Sequence, residues 1–105
     1  IREADGLAKS SRNGYLSAAE RSLAPAVYRS LTHIGAALAS GSDDFKALED
    51  TARAELADTG FRPDYVNIVN SETLKPAAPG DRQLTILAAA FLGTTRLIDN
   101  LTVNR

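Results

Sequence analysis

The 105 residues contain no cysteine, which excludes disulfides, thiolate metal sites and thiol nucleophiles. A single histidine, His33, leaves few ways to assemble a zinc site. No apolar run approaches the length that spans a bilayer, and the start lacks a signal-peptide pattern, so the expectation is a soluble, cytoplasmic chain with no membrane partner. Neither sign of charge dominates: 12 basic residues face 13 acidic ones. That balance argues against a nucleic-acid partner, which would call for a strong basic excess. What remains is enough for one domain, with 44% of residues hydrophobic and a modest core. The chain opens on Ile1, followed by a polar, turn-like stretch, which reads as a segment of something longer.

Asp5–Tyr15 reads as loop, punctuated by Gly6 and Gly14. Ser17-Ala18-Ala19-Glu20 matches a capping box and predicts a helix start, and Pro25 predicts a break after a turn or two. The main helix then runs to about Ser40, with Val27, Leu31, Ile34 and Leu38 as its apolar stripe and Gly41 as its stop. Ser42-Asp43-Asp44 predicts a capped second helix, in which Phe45, Leu48, Ala52 and Leu56 are buried and Gly60 is the stop. Tyr65–Val69 is short and β-branched and reads as a strand, followed by a loop over Asn70–Arg82. Gln83–Phe91 and Thr95–Val103 read as an antiparallel hairpin turning at Leu92-Gly93-Thr94. The expected class is α+β, two to three helices on a small, mostly antiparallel three-stranded sheet.

One segment carries residue types beyond what folding needs: Lys9-Ser10-Ser11-Arg12-Asn13. Two hydroxyls and a guanidinium converge naturally on an anion, the guanidinium in a bidentate way. Fixed donors of that kind lower the barrier for a leaving pyrophosphate without moving a proton. The same residues fit equally well a Ser/Asn-rich turn that caps a helix.

The wider run Arg2-Glu3-Ala4-Asp5-Gly6-Leu7-Ala8-Lys9-Ser10-Ser11-Arg12-Asn13-Gly14-Tyr15-Leu16-Ser17 resembles the opening of the C-terminal domain of the pantothenate synthetase family. There Ser-Ser-Arg takes the part of the Lys-Met-Ser-Lys-Ser loop of nucleotidylyltransferases. Gly93-Thr94-Thr95-Arg96-Leu97-Ile98-Asp99-Asn100 resembles the family's closing motif, and Phe61–Val66 and Glu72-Thr73-Leu74 also fit. The resemblance implies residues 1–105 as the ATP-covering lid of a two-domain, AMP-forming ligase, its Rossmann-like N-terminal half lying outside this chain. It implies that pantoate reacts with ATP and magnesium to give pantoyl adenylate, and that β-alanine then displaces AMP. Ser10, Ser11 and Arg12 would hold the phosphates, and Lys9 and Ile1 would meet the adenosine through their main chains. Lys9 departs from the small apolar residue or Met common at its position. No metal ligand and no confident catalytic group is implied here; pantoate, β-alanine and the homodimer contacts would belong to the other domain, and this piece alone would be silent.

Other candidates are read more plainly. Thr32-His33-Ile34-Gly35 is superficially similar to a nucleotidylyltransferase histidine motif, but it lies inside the apolar-periodic helix and reads as an ordinary helix-side residue. Asp43, Asp44, Glu49 and Asp50 read as a solvated helix start, not a metal site. Asp99 and Asn100 either face the nucleotide cleft or satisfy loop amides, the second reading being favoured. Arg96 is expected to pair with one of these or with Glu20, and Tyr15 and Tyr28 to pack. Two competing functions stand beside the ligase lid: the corresponding piece of another nucleotidylyltransferase, and an interaction module without nucleotide chemistry.

Overall fold

The computed structural model describes residues 2–105, with the backbone alone for Ser11 and Arg12. Ile1 and the side chains of Ser11 and Arg12, three of the expected phosphate and adenosine contacts, thus lie outside the described residues.

A 3₁₀ turn at Ser11–Tyr15 leads into helix α1, Ala18–Leu23. The capping box forms as expected: the Ser17 hydroxyl accepts from the Glu20 amide at 3.1 Å, and the Glu20 carboxylate accepts from the Ser17 amide at 2.9 Å. Pro25 separates α1 from α2, Ala26–Ala39, since it has no amide hydrogen to continue the ladder. Val27, Leu31, Ile34 and Leu38 are buried, and the stripe runs along the sheet. Helix α3, Phe45–Thr59, ends at Gly60 in the left-handed conformation. Its start corrects the expectation of a side-chain cap. Asp44 occupies the cap position without a capping hydrogen bond, and Asp43 turns instead to Arg105 at 2.6 Å. Ala52 and Leu56 are buried; Phe45 and Leu48 pack at the margin of the core.

Three strands follow in a meander of order β1-β2-β3, all antiparallel: β1 Arg62–Asn70, β2 Gln83–Leu92 and β3 Thr95–Asn104. The α+β class is as expected, but β1 begins three residues before Tyr65 and includes Pro63. An edge position makes this possible, because a proline there forfeits no ladder bond, and the register shifts between Pro63 and Tyr65. Part of that edge is covered, as the Ile68 amide donates to Glu49 of α3 at 2.7 Å. Leu92 belongs to β2, and the turn is Gly93-Thr94 alone. Gly93 has φ of 64° and Thr94 does not share the positive sign, the pattern of a type II′ turn.

Pleating divides the sheet. Leu84, Ile86, Ala88, Ala90 and Leu92 of β2 face the helices together with Val66, Ile68, Leu97 and Val103, and form the core with α2 and α3. Gly35 lets α2 approach β3 closely, since a Cβ there would lie 3.1 Å from Leu101. The last residue also ties segments together: Arg105 donates to the carbonyls of Asp81 (2.8 Å) and Ser42 (2.7 Å) as well as to Asp43. Among the described residues no helix is long and apolar enough to cross a membrane.

Candidate functional site

The expected loop before α1 is more ordered than its composition suggests. Residues 2–8 fold back on themselves: Arg2 bridges Ala8, the Glu3 amide donates to the Leu7 carbonyl at 2.7 Å, and Gly6 turns the chain with φ of 95°. Leu7 is buried in the core, so this turn is anchored by apolar burial as well as by hydrogen bonds. Arg21 of α1 donates to Asp5 at 2.7 and 3.2 Å, and these bonds hold the Asp5 carboxyl below its ordinary pKa. With the folded pKa depressed, the contribution of this pair is complete above the ordinary carboxylate range. It fades as the pH falls through the lowered value. An NMR titration of the Asp5 carboxyl is expected to show a midpoint that rises toward the ordinary value in Arg21→Ala; an unchanged midpoint would contradict the pairing. The effect on stability is small, because both side chains are well exposed.

The opposite end of the sequence fastens this turn. Arg2 forms a bidentate pair with Asp99 of β3, Nη1 to Oδ2 at 2.5 Å and Nη2 to Oδ1 at 2.8 Å. Its guanidinium also donates to the carbonyls of Gly6 (3.0 Å) and Asn100 (3.1 Å) and lies over the Tyr28 ring, 4.0 Å from the centroid. The Asp99 hydrogen bonds raise the Arg2 pKa, so this charge is permanent at any working pH. Asp99 therefore serves neither of the roles foreseen for it alone. Its carboxylate lines the cleft described below, yet its main partner is a guanidinium; it also accepts from the Asn100 amide at 2.7 Å.

Between this clasp and α1 runs the Lys9–Asn13 segment. Lys9 and Ser10 are exposed, and the 3₁₀ turn closes with the Asn13 amide donating to the Ser10 carbonyl at 3.1 Å. Asn13 reaches back with Nδ2 to the Ala8 carbonyl at 3.0 Å. Beneath the segment lies a cleft of about 270 Å³. Its walls are Leu7, Ala8, Ser10 and Asn13 from the loop, Val27 and Tyr28 from α2, and Arg96 to Asp99 from β3. The two sequence stretches that carry the family resemblance thus face each other across one depression. Of the expected binding residues, Ser10 lines this cleft, and Lys9 precedes it on the same loop.

Several expectations need correction. Arg96 pairs with Asp64 on β1, Nε and Nη2 donating at 3.2 and 3.0 Å, and not with Asp99, Asn100 or Glu20. Pleating sends Arg96 and Asp99 to opposite faces of β3, while Glu20 is held by its own capping box. Tyr15 is exposed and does not pack, whereas Tyr28 packs under Arg2. His33 is exposed on α2, with Glu55 at 3.8 Å. Asp50 pairs with Arg53 on the solvated side of α3. Among the described residues no three His, Asp or Glu side chains converge on one point. Arg2 and Tyr28 are the participants that residue types alone do not single out. A usable signal exists only for Asp99, a carboxylate on the apolar face of a strand, which demands a partner.

Comparison with known proteins finds relatives over the whole length of this chain. The family model described as pantoate-beta-alanine ligase matches residues 1–102. A pantothenate synthetase from Marinobacter nauticus is 63% identical over 105 residues, all of this chain and 37% of that protein. The chain therefore spans little more than a third of that relative's length. The crystal structure of pantoate-beta-alanine ligase (pantothenate synthetase) from Thermus thermophilus superposes with a TM-score of 0.89 at 39% identity, covering all of this chain and 38% of that one. The pantoate-beta-alanine ligase of Francisella tularensis, solved with beta-gamma ATP and beta-alanine, gives 0.59 at 26% identity over 96% of this chain and 30% of that one. With the match running through almost every residue, the chain belongs to the pantoate-beta-alanine ligase family.

Proposed function

We propose that this chain acts as the C-terminal, ATP-covering domain of a pantothenate-forming ligase, and that its Ser10-Ser11-Arg12 segment holds the phosphates of the nucleotide. The observation that carries the reading is the position of that segment. Ser10 at its start and Asn13 just after it line a cleft whose far wall is the Arg96–Asp99 stretch of β3. The family relative solved with an ATP compound and β-alanine supports the same class of ligands.

The chemistry asked of the loop is electrostatic. A pantoate carboxylate oxygen attacks the α-phosphorus of ATP, the bond to the bridging oxygen breaks, and pyrophosphate leaves with its electron pair. The amine of β-alanine then attacks the acyl carbon of the adenylate, loses a proton, and AMP departs. Arg12 and the two serine hydroxyls would act in the first step, placing donors on the charge that grows on pyrophosphate. Magnesium would travel with the nucleotide and share that charge. Lys9 and Ile1 would contribute main-chain contacts to adenosine. The pantoate and β-alanine pockets, and the contacts of a homodimer, would lie on the preceding Rossmann-like domain, so the chain alone is expected to make no pantothenate.

The test grafts this chain in place of the matching segment of the Marinobacter nauticus relative and assays pantothenate formation. The graft is expected to be active, and Arg12→Ala is expected to slow it on the order of tenfold or more. The Ser10→Ala, Ser11→Ala pair should act in the same direction, with the melting temperature kept. A folded but inactive graft, or full turnover in Arg12→Ala, would overturn the proposal.

A further inference from the structure

We infer that Asn13 is a positioning residue for the adenylation step, acting as the strut that holds the Ser10–Arg12 turn open toward the nucleotide. The inference rests on the phosphate-loop reading above and adds to it a residue that does not itself grip phosphate. Six residues, Ala8 to Asn13, make up the loop, and Asn13 closes it twice. Its amide donates to the Ser10 carbonyl at 3.1 Å, which shapes the turn, and Nδ2 donates to the Ala8 carbonyl at 3.0 Å, which ties the turn to the loop's root. A carbonyl can only accept, so the nitrogen of the side-chain amide must face Ala8 and Oδ1 must face away. That Oδ1 is buried, and no described group donates to it. A purely structural asparagine, packed for its own sake, would be expected to use both ends of its amide. Here one end is spent on the loop, while the residue itself lines the cleft beside Ser10.

The Ala8 end is in turn fixed, because Arg2 bridges Ala8 and Leu7 is buried in the core. One anchored residue, one side-chain strut and one turn hydrogen bond therefore fix the backbone course of the turn that carries Ser10 to Arg12. Catalysis by oriented donors is sensitive to displacements of about 1 Å, so loss of the strut should reach the chemistry even though the fold survives.

The experiment separates the two half-reactions in the grafted ligase. Pantoate-dependent exchange of labelled pyrophosphate into ATP reports adenylation. Reaction of supplied pantoyl adenylate with β-alanine reports the second step. Asn13→Ala is expected to slow the exchange roughly tenfold while leaving the second step and the melting temperature near those of the unmodified graft. A merely structural role would lower both half-reactions together, and equal losses in the two would overturn the inference. Arg12→Ala runs in parallel. If Arg12→Ala slows exchange and Asn13→Ala does not, the strut is wrong and the phosphate loop stands. If neither slows it, the phosphate reading itself has failed.

Discussion

Asp99→Ala is expected to cost the chain about 2–4 kcal/mol, a larger loss than a surface ion pair would explain. The Asp99 side chain is 8% exposed and that of Arg2 is 26% exposed. Removing the carboxylate leaves a guanidinium between the Gly6 and Asn100 carbonyls and the Tyr28 ring, with its two shortest bonds unmade. Residual access to water keeps the penalty below that of a fully buried unpaired charge. For a domain of this size the change corresponds to a fall in melting temperature of roughly 10–20 °C. Arg2→Ala should also destabilise, and the double variant should be less harmful than the two single losses summed, with a coupling above about 1 kcal/mol. Additive effects, or an Asp99→Ala protein that melts within a degree or two of wild type, would mean that the clasp contributes nothing.

That clasp also marks where reading the sequence stops being sufficient. Local signals succeed because they depend on near neighbours: the Ser17–Glu20 capping box, the break at Pro25, the Val27–Leu38 stripe and the Gly93 hairpin turn all occur within a few residues. The sequence understates β1 for the opposite reason. Proline normally ends a strand, and only the sheet order shows that Pro63 lies on an edge where its missing amide is tolerated. Charged residues are hardest to place. Glu49 reads as solvated yet binds the Ile68 amide, and Asp43 reads as part of a helix start yet holds Arg105, 62 residues away. Arg2 and Asp99 stand 97 residues apart and meet only after the sheet closes. At the site, the Lys9–Asn13 segment is legible as a candidate from its residue types. The cleft is not, because its other walls, Tyr28 and the Arg96–Asp99 stretch, come from α2 and β3.

The clasp makes a second demand, on Gly6, and a matched pair of glycines isolates it. Gly6 and Gly80 have nearly the same backbone, φ of 95° and 92°, in the region where a side chain is strained whatever its surroundings. They differ in what a methyl group would meet. At Gly80 nothing lies within 4 Å, whereas at Gly6 a Cβ would overlap Cδ2 of Tyr28 and sit 3.1 Å from Cε2. Gly80→Ala should therefore show the conformational cost alone, about 1 kcal/mol. Gly6→Ala should add an overpacking cost of roughly 1–3 kcal/mol. The Tyr28 ring cannot retreat without leaving the Arg2 guanidinium stacked on it, so the clash and the clasp are coupled. The total expected for Gly6→Ala is about 2–4 kcal/mol, measured by denaturant unfolding of both variants under one set of conditions. Combining Gly6→Ala with Tyr28→Ala should recover part of the difference between the two glycines by removing the atoms in the way, though not the shared backbone strain. Equal losses at Gly6 and Gly80 would show that Tyr28 yields freely, and the tight seat of the guanidinium between that ring and Asp99 would have to be abandoned.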